Sequence, residues 1–95
     1  MEAVFLTLME NGGTKRIMEF PITDIPTKLA RGDTFTLEIF SGMTATVINR
    51  HWNVPVPHLR VRCKVDTALM NILIESDGLE KVGDGYYTMP EQTWK

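Results

Sequence analysis

Ninety-five residues amount to one domain, spanning 1–95. A chain of this size buries about 60–65% of its unfolded surface, which leaves room for a core but little for an elaborate enclosed active site. Apolar residues make up 43%, too many for a disordered chain, and no apolar run reaches the ~18 residues of a membrane span. The net charge of −2 and an isoelectric point near 5.6 argue against a general duplex-DNA binder.

The start, "MEAVFLTLMENGG", carries an acid and no basic flank, which predicts no secretory signal. One cysteine cannot form an internal disulfide, so a reducing, cytoplasmic setting is expected. Charge is unevenly spread. Ser41 to Val65 holds Arg50, Arg60, Arg62 and Lys64 and no acid. From Asp66 onward Asp66, Glu75, Asp77, Glu80, Asp84 and Glu91 outweigh Lys81 and Lys95.

Ala3 to Met9 is rich in β-formers and apolar on both faces. Asn11-Gly12-Gly13 supplies a turn, and Thr14 to Phe20 reads as the return strand of a hairpin. A strand apolar on both faces is either central in a sheet or covered by another subunit. Pro21 and Pro26 interrupt any ladder, and Thr27 to Ala30 has room for one helical turn. In Thr34 to Phe40, Phe35, Leu37 and Ile39 alternate with Thr34, Thr36 and Glu38, the pattern of a half-buried strand.

Ser41-Gly42 marks a turn, and Thr44 to Trp52 follows as a strand. Asn53 to Pro57 reads as a stiff extended connector, since Pro55 and Pro57 lack N–H donors. Leu59 to Val65 is the clearest strand. Leu59, Val61, Cys63 and Val65 point one way, and Arg60, Arg62 and Lys64 the other. Asp66 is a helix N-cap for a helix near residues 67–77, with Leu69, Ile72 and Leu73 on one face and Gly78 as C-terminal cap. A strand is the competing reading there, because Ile72 and Ile74 are β-branched. Leu79 to Met89 reads as a hairpin about Gly83-Asp84-Gly85, with Tyr86 and Tyr87 on opposite faces. The tail from Pro90 frays unless Trp94 docks.

The expected fold is α+β and mainly antiparallel. It is a small curled sheet or SH3-like, partly open barrel of about five to six strands with one helix.

Catalysis and metal binding find little support. His51, His58 and Cys63, with Asp66 or Asp33, are ligand types at spacings that match no metal motif. Strand parity turns Cys63 inward among Leu59 and Val61, so it reads as a small core hydrophobe rather than a nucleophile. Glu19 and Glu38 are ordinary solvent-facing acids. No nucleophile elbow, Walker loop or dinucleotide fingerprint is present. Ala68 to Met89 has the outline of a helix and a wing, but no helix-turn-helix precedes it and the wing is acidic. No enzyme activity, metal, cofactor or membrane partner is expected.

Two binding readings remain. The first is a protein-binding or homo-oligomeric module, because Val4, Phe5, Leu6, Leu8 and Met9 exceed what one face of a small sheet buries. The basic stretch of one copy would then meet the acidic C-terminal third of another. The second reading is single-stranded nucleic acid held on Arg60, Arg62 and Lys64, about 6.6–6.8 Å apart from one to the next. Arg50 joins that stripe if Thr46, Ile48 and Arg50 share the face, with His58 beside it and Trp52 at its end to stack a base.

Overall fold

The computed structural model describes residues 3–26, 28–54 and 57–94. The described residues form, in chain order, β1 (Ala3–Glu10), β2 (Ile17–Thr23), β3 (Thr34–Phe35), a 3₁₀ turn (Glu38–Phe40), β4 (Ala45–Asn53), β5 (His58–Val65), α1 (Thr67–Ile74), β6 (Glu80–Gly83), β7 (Tyr86–Thr88) and β8 (Gln92–Thr93). The strands make one sheet in the order β3-β4-β5-β1-β2-β7-β6, with β8 paired to the far half of β2.

The β-rich fold with a single helix agrees with the expectation, but the architecture needs correction. The sheet is mixed rather than mainly antiparallel: β1 runs parallel to β5, and β2 runs parallel to β7 and β8. It is open rather than a curled sheet or SH3-like barrel, its path ending at β3 and β6. Eight strands replace the expected five to six, two of them only two residues long. Among the described residues no helix is long and apolar enough to cross a membrane.

β1 is central, between β5 and β2, which accounts for its two apolar faces. Leu6 and Leu8 are fully buried on one face, and Thr7 is buried on the other. The first face carries the core. Met18, Phe20 and Ile22 of β2, Val61, Cys63 and Val65 of β5, and Ala45 and Val47 of β4 join Leu6 and Leu8 there. Leu69, Met70 and Leu73 of α1, Phe40 of the 3₁₀ turn and Leu29 of the 24–33 strap cover them. Each large aliphatic or aromatic side chain so buried contributes about 1.5–3 kcal/mol.

Local signals set most elements. The β1–β2 turn uses Asn11 at φ 53°, with Asn11 N–H donating to Val65 O at 2.7 Å. β2 starts at Ile17 and runs through Pro21, so that proline does not interrupt the ladder. Pro21 lies opposite Phe5 of β1. On the other side β7 pairs only as far as Glu19 and β8 only from Ile22. Its missing donor therefore falls in the gap between β7 and β8.

The expected strand over Thr34 to Phe40 stops after Phe35. Thr36 Oγ1 donates to Met43 O at 2.6 Å, and the chain tightens into the 3₁₀ turn, which buries Phe40 more deeply than Ile39. Asp66 caps α1 as expected, Oδ1 accepting from Leu69 N at 2.9 Å. The helix ends at Ile74 rather than 77, closed by Glu75 N on Ile72 O, so Gly78 lies beyond the cap. Met70 takes the buried place expected of Ile72, which is half-buried. The tail is held: β8 pairs with β2 and the Trp94 ring lies 5.0 Å from that of Phe35. Thr27, Pro55 and Val56 lie outside the described residues; the rest of the expected helical turn, Lys28 to Ala30, is described and forms no helix, with only Leu29 N–H donating back to Pro26 O at 3.4 Å.

Glu10 and Arg16 clamp the β1–β2 hairpin. Arg16 Nε donates to Glu10 Oε1 at 2.9 Å, and its Nη2 donates to Oε2. These bonds from Arg16 outweigh burial and hold the Glu10 carboxyl down at about 2, against an ordinary 4.5. The unfolded chain therefore takes up this proton first on acidification. The stabilisation is complete above about pH 4.5 and is lost as the pH falls from there toward 2. In urea titrations, Glu10→Gln should be less stable than wild type by a constant amount above pH 5. The difference should shrink toward pH 2. A pH-independent difference would show that the carboxylate charge is not what Arg16 holds.

Candidate protein-docking face

The second face of the sheet has no covering element among the described residues. β5 contributes His58, Arg60, Arg62 and Lys64 to it, in register with Ala3, Phe5, Thr7 and Met9 of β1. Phe5, Thr7 and Met9 stand in turn beside Pro21, Glu19 and Ile17 of β2, and Ile17 and Glu19 beside Tyr86 and Thr88 of β7. Glu80 of β6 pairs with Thr88 and shares the face, whereas Lys81 pairs with Tyr87 on the core side. The result is a groove of about 630 Å³. Phe5, Met9, Ile17 and Pro21 form its apolar floor, and Val82 and Tyr86 its far wall.

Across the strands the face changes sign. The β5 flank carries Arg60, Arg62 and Lys64, and the β6 flank carries Glu80, with Asp84 in the turn beyond it. The floor holds one internal network: Arg60 Nη2 donates to Glu19 Oε1 at 3.3 Å and Thr7 Oγ1 to Glu19 Oε2 at 3.4 Å. Arg60 Nε is buried with no hydrogen-bond partner among the described residues. A buried donor left unsatisfied costs about 1–3 kcal/mol.

Sequence parity placed Arg60, Arg62 and Lys64 together, and the structure does the same. It separates Arg50 and Trp52 from them. A β-bulge between Val47 and Asn49 shifts the register, so Arg50 pairs with Val61 and Trp52 with Leu59, on the core side. The signal was readable: unbroken parity from Val47 would send Asn49, His51 and Asn53 into the core, and the bulge turns all three outward. His58 does lie on the cationic face, 2.8 Å from Asn53 Nδ2 through its Nε2 and edge-on to Phe5 at 5.6 Å. Of the residues expected at an interface, Phe5 and Met9 line the groove. Leu6 and Leu8 are core, and Val4 lies on the core side beside Leu59. These three are therefore withdrawn from the docking surface.

The ligand-type residues do not converge. Among the described residues no cluster of three His, Cys, Asp or Glu side chains could hold a metal ion. Asp66 is committed to its cap, and Asp33 Oδ2 accepts from Ala30 N at 2.8 Å. Glu38 sits in the 3₁₀ turn, while Glu19 lines the groove. Cys63 is fully buried, and desolvation pushes its thiol up to about 12. Native protein should therefore react with a thiol reagent only as fast as it unfolds, a rate that denaturant raises. Rapid stoichiometric labelling without denaturant would contradict the burial.

No protein-family model, curated protein or solved structure matches this chain.

Proposed function

We propose that this protein is a non-enzymatic assembly module that docks on a second copy of itself through the uncovered sheet face. The change of sign across that face carries the reading. A two-fold axis running parallel to the strands, between two facing sheets, sets the β5 flank of one copy against the β6 flank of the other. Arg62 and Lys64 then meet Glu80 and Asp84 twice, and the two apolar floors meet at the centre. Isologous contact of this kind is the commonest form of self-association. A cytoplasmic setting, in which Cys63 stays reduced, accords with the reading.

Sedimentation equilibrium at micromolar concentration tests it. The expected mass is twice that of the 10.8 kDa chain, with association weakening as salt screens the flanks. A monomer at every concentration and salt would overturn the reading. Monomers that bind a labelled oligonucleotide through Arg60, Arg62 and Lys64 would replace it with the nucleic-acid one. That alternative has lost Arg50 and Trp52 to the opposite face, and Arg60 to its pairing with Glu19.

A further inference from the structure

The β1–β2 turn holds a reactive pair. Asn11 and Gly12 take its two centre positions, at φ 53° and 76°, closed by Gly13 N–H on Glu10 O at 3.0 Å. Both residues are exposed. The side-chain carbonyl carbon of an asparagine and the next main-chain nitrogen can close a five-membered ring. A side chain on the next residue screens that nitrogen, and Gly12 has none. Asn49, Asn53 and Asn71 are followed by Arg50, Val54 and Ile72, which screen theirs.

Two bonds restrain the pair in the folded chain. Gly12 N–H donates to Met9 O at 3.1 Å, and Asn11 Nδ2 donates to Thr67 Oγ1 at 3.2 Å. Thr67 opens α1, so the second bond ties the turn to the helix. The Glu10 carboxyl, held down first by Arg16, is also hydrogen-bonded by Thr67. The Thr67 hydroxyl thus gives its one proton to Glu10 and accepts from Asn11.

We infer that Asn11 is a deamidation site restrained by Thr67, and that its conversion loosens the junction between the β1–β2 turn and α1. Gly12 N gives its proton to hydroxide and attacks Cγ of Asn11. The Cγ–Nδ2 bond breaks, and ammonia leaves with a proton taken from water. Water then opens the succinimide. Breaking the new N–Cγ bond leaves aspartate on the original main chain. Breaking the bond from Gly12 N to the main-chain carbonyl carbon leaves isoaspartate, with the main chain rerouted through Cγ.

Either product weakens the junction. A carboxylate oxygen replaces Nδ2 and cannot donate to Thr67. It sets a second negative charge against the hydroxyl that Glu10 already uses. Isoaspartate also lengthens the main chain, which disrupts the Glu10–Gly13 turn bond. None of Asn11, Gly12 and Thr67 lines the groove, so the reaction is independent of self-docking.

The full chain, incubated at mildly alkaline pH, is mapped by peptide mass spectrometry, with isoaspartate counted by enzymatic carboxyl methylation. Conversion should appear at Asn11 and not at Asn49, Asn53 or Asn71. Thr67→Ala, an exposed change to a better helix former, should speed it about threefold, the scale of one exposed hydrogen bond. In urea that unfolds both proteins, the two rates should coincide and exceed the native ones. Asn11→Asp should lower the urea midpoint. Native Asn11 that stays intact while the unfolded chain converts, or conversion at another asparagine first, would overturn the site. Equal native rates for wild type and Thr67→Ala would overturn the restraint, and an unchanged Asn11→Asp midpoint would overturn the loosening.

Discussion

Replacing Gly85 with alanine will remove about 3 kcal/mol or more of stability, a large share of the 5–15 kcal/mol that holds a domain of this size. Gly85 has φ 72°, which costs an alanine about 1 kcal/mol. The larger part is steric: a Cβ there would lie 2.3 Å from the backbone oxygen of Lys15. Backbone cannot swing aside as a side chain can. The approach also serves the fold, since Ile17 N–H donates to Gly85 O at 2.7 Å where β7 begins its pairing with β2. The substitution therefore pries the β6–β7 hairpin from the sheet, and with it the acidic flank of the groove. Gly42 provides the control. Its φ is 88°, but nothing lies within 4 Å of its Cβ position, so Gly42→Ala should cost only about 1 kcal/mol. Urea midpoints of the two variants, read at similar slope, separate strain from collision. Equal losses would show that the close approach to Lys15 is unimportant.

Tyr86→Glu should weaken self-association at least a hundredfold, about 2.8 kcal/mol, and leave the monomer folded. Tyr86 is 50% exposed, so the fold tolerates a polar side chain there. In the docked pair the same position packs beside Ile17 and Val82 against the partner's apolar floor, where a glutamate would give up the ring's apolar contact and lose its hydration. Val54→Glu changes another exposed apolar residue outside the groove and should leave the association intact. The flanks can be tested by exchange. Arg62→Glu alone should weaken the pair about tenfold, and adding Glu80→Arg should restore much of the loss, because the two positions meet across the two-fold axis. Light scattering over a dilution series reads all four variants. A dimer undisturbed by Tyr86→Glu would place the interface elsewhere.

What the sequence disclosed was local. The Asn11-Gly12-Gly13 turn, the alternation of Leu59 to Val65, the Asp66 cap and the Gly83-Asp84-Gly85 hairpin each depend on neighbours a few residues apart, and each stands in the structure. What it hid was long-range. Nothing in Ala3 to Glu10 or His58 to Val65 announces that these strands run side by side in parallel, because parity records which face is buried and not which strand is adjacent. The groove followed from that pairing: only with β5, β1, β2 and β7 in sequence do Arg60, Phe5, Glu19 and Tyr86 share one surface. The 3₁₀ turn defeated a clean alternation at Phe35 and Leu37, since side-chain bonds from Thr36 outweighed strand propensity. The bulge at Val47 and Asn49 moved two of the six expected binding residues to the other face, although the polar run Asn49, His51 and Asn53 foretold it.

The most direct test of self-docking is a mixed sample of isotope-labelled and unlabelled protein, read by filtered nuclear Overhauser spectroscopy. The account predicts intermolecular effects among the side chains of Phe5, Met9, Ile17 and Tyr86, and none to α1 or to Trp52. Intermolecular effects confined to α1 or the β4 edge, or none at concentrations where the mass is that of a dimer, would contradict it.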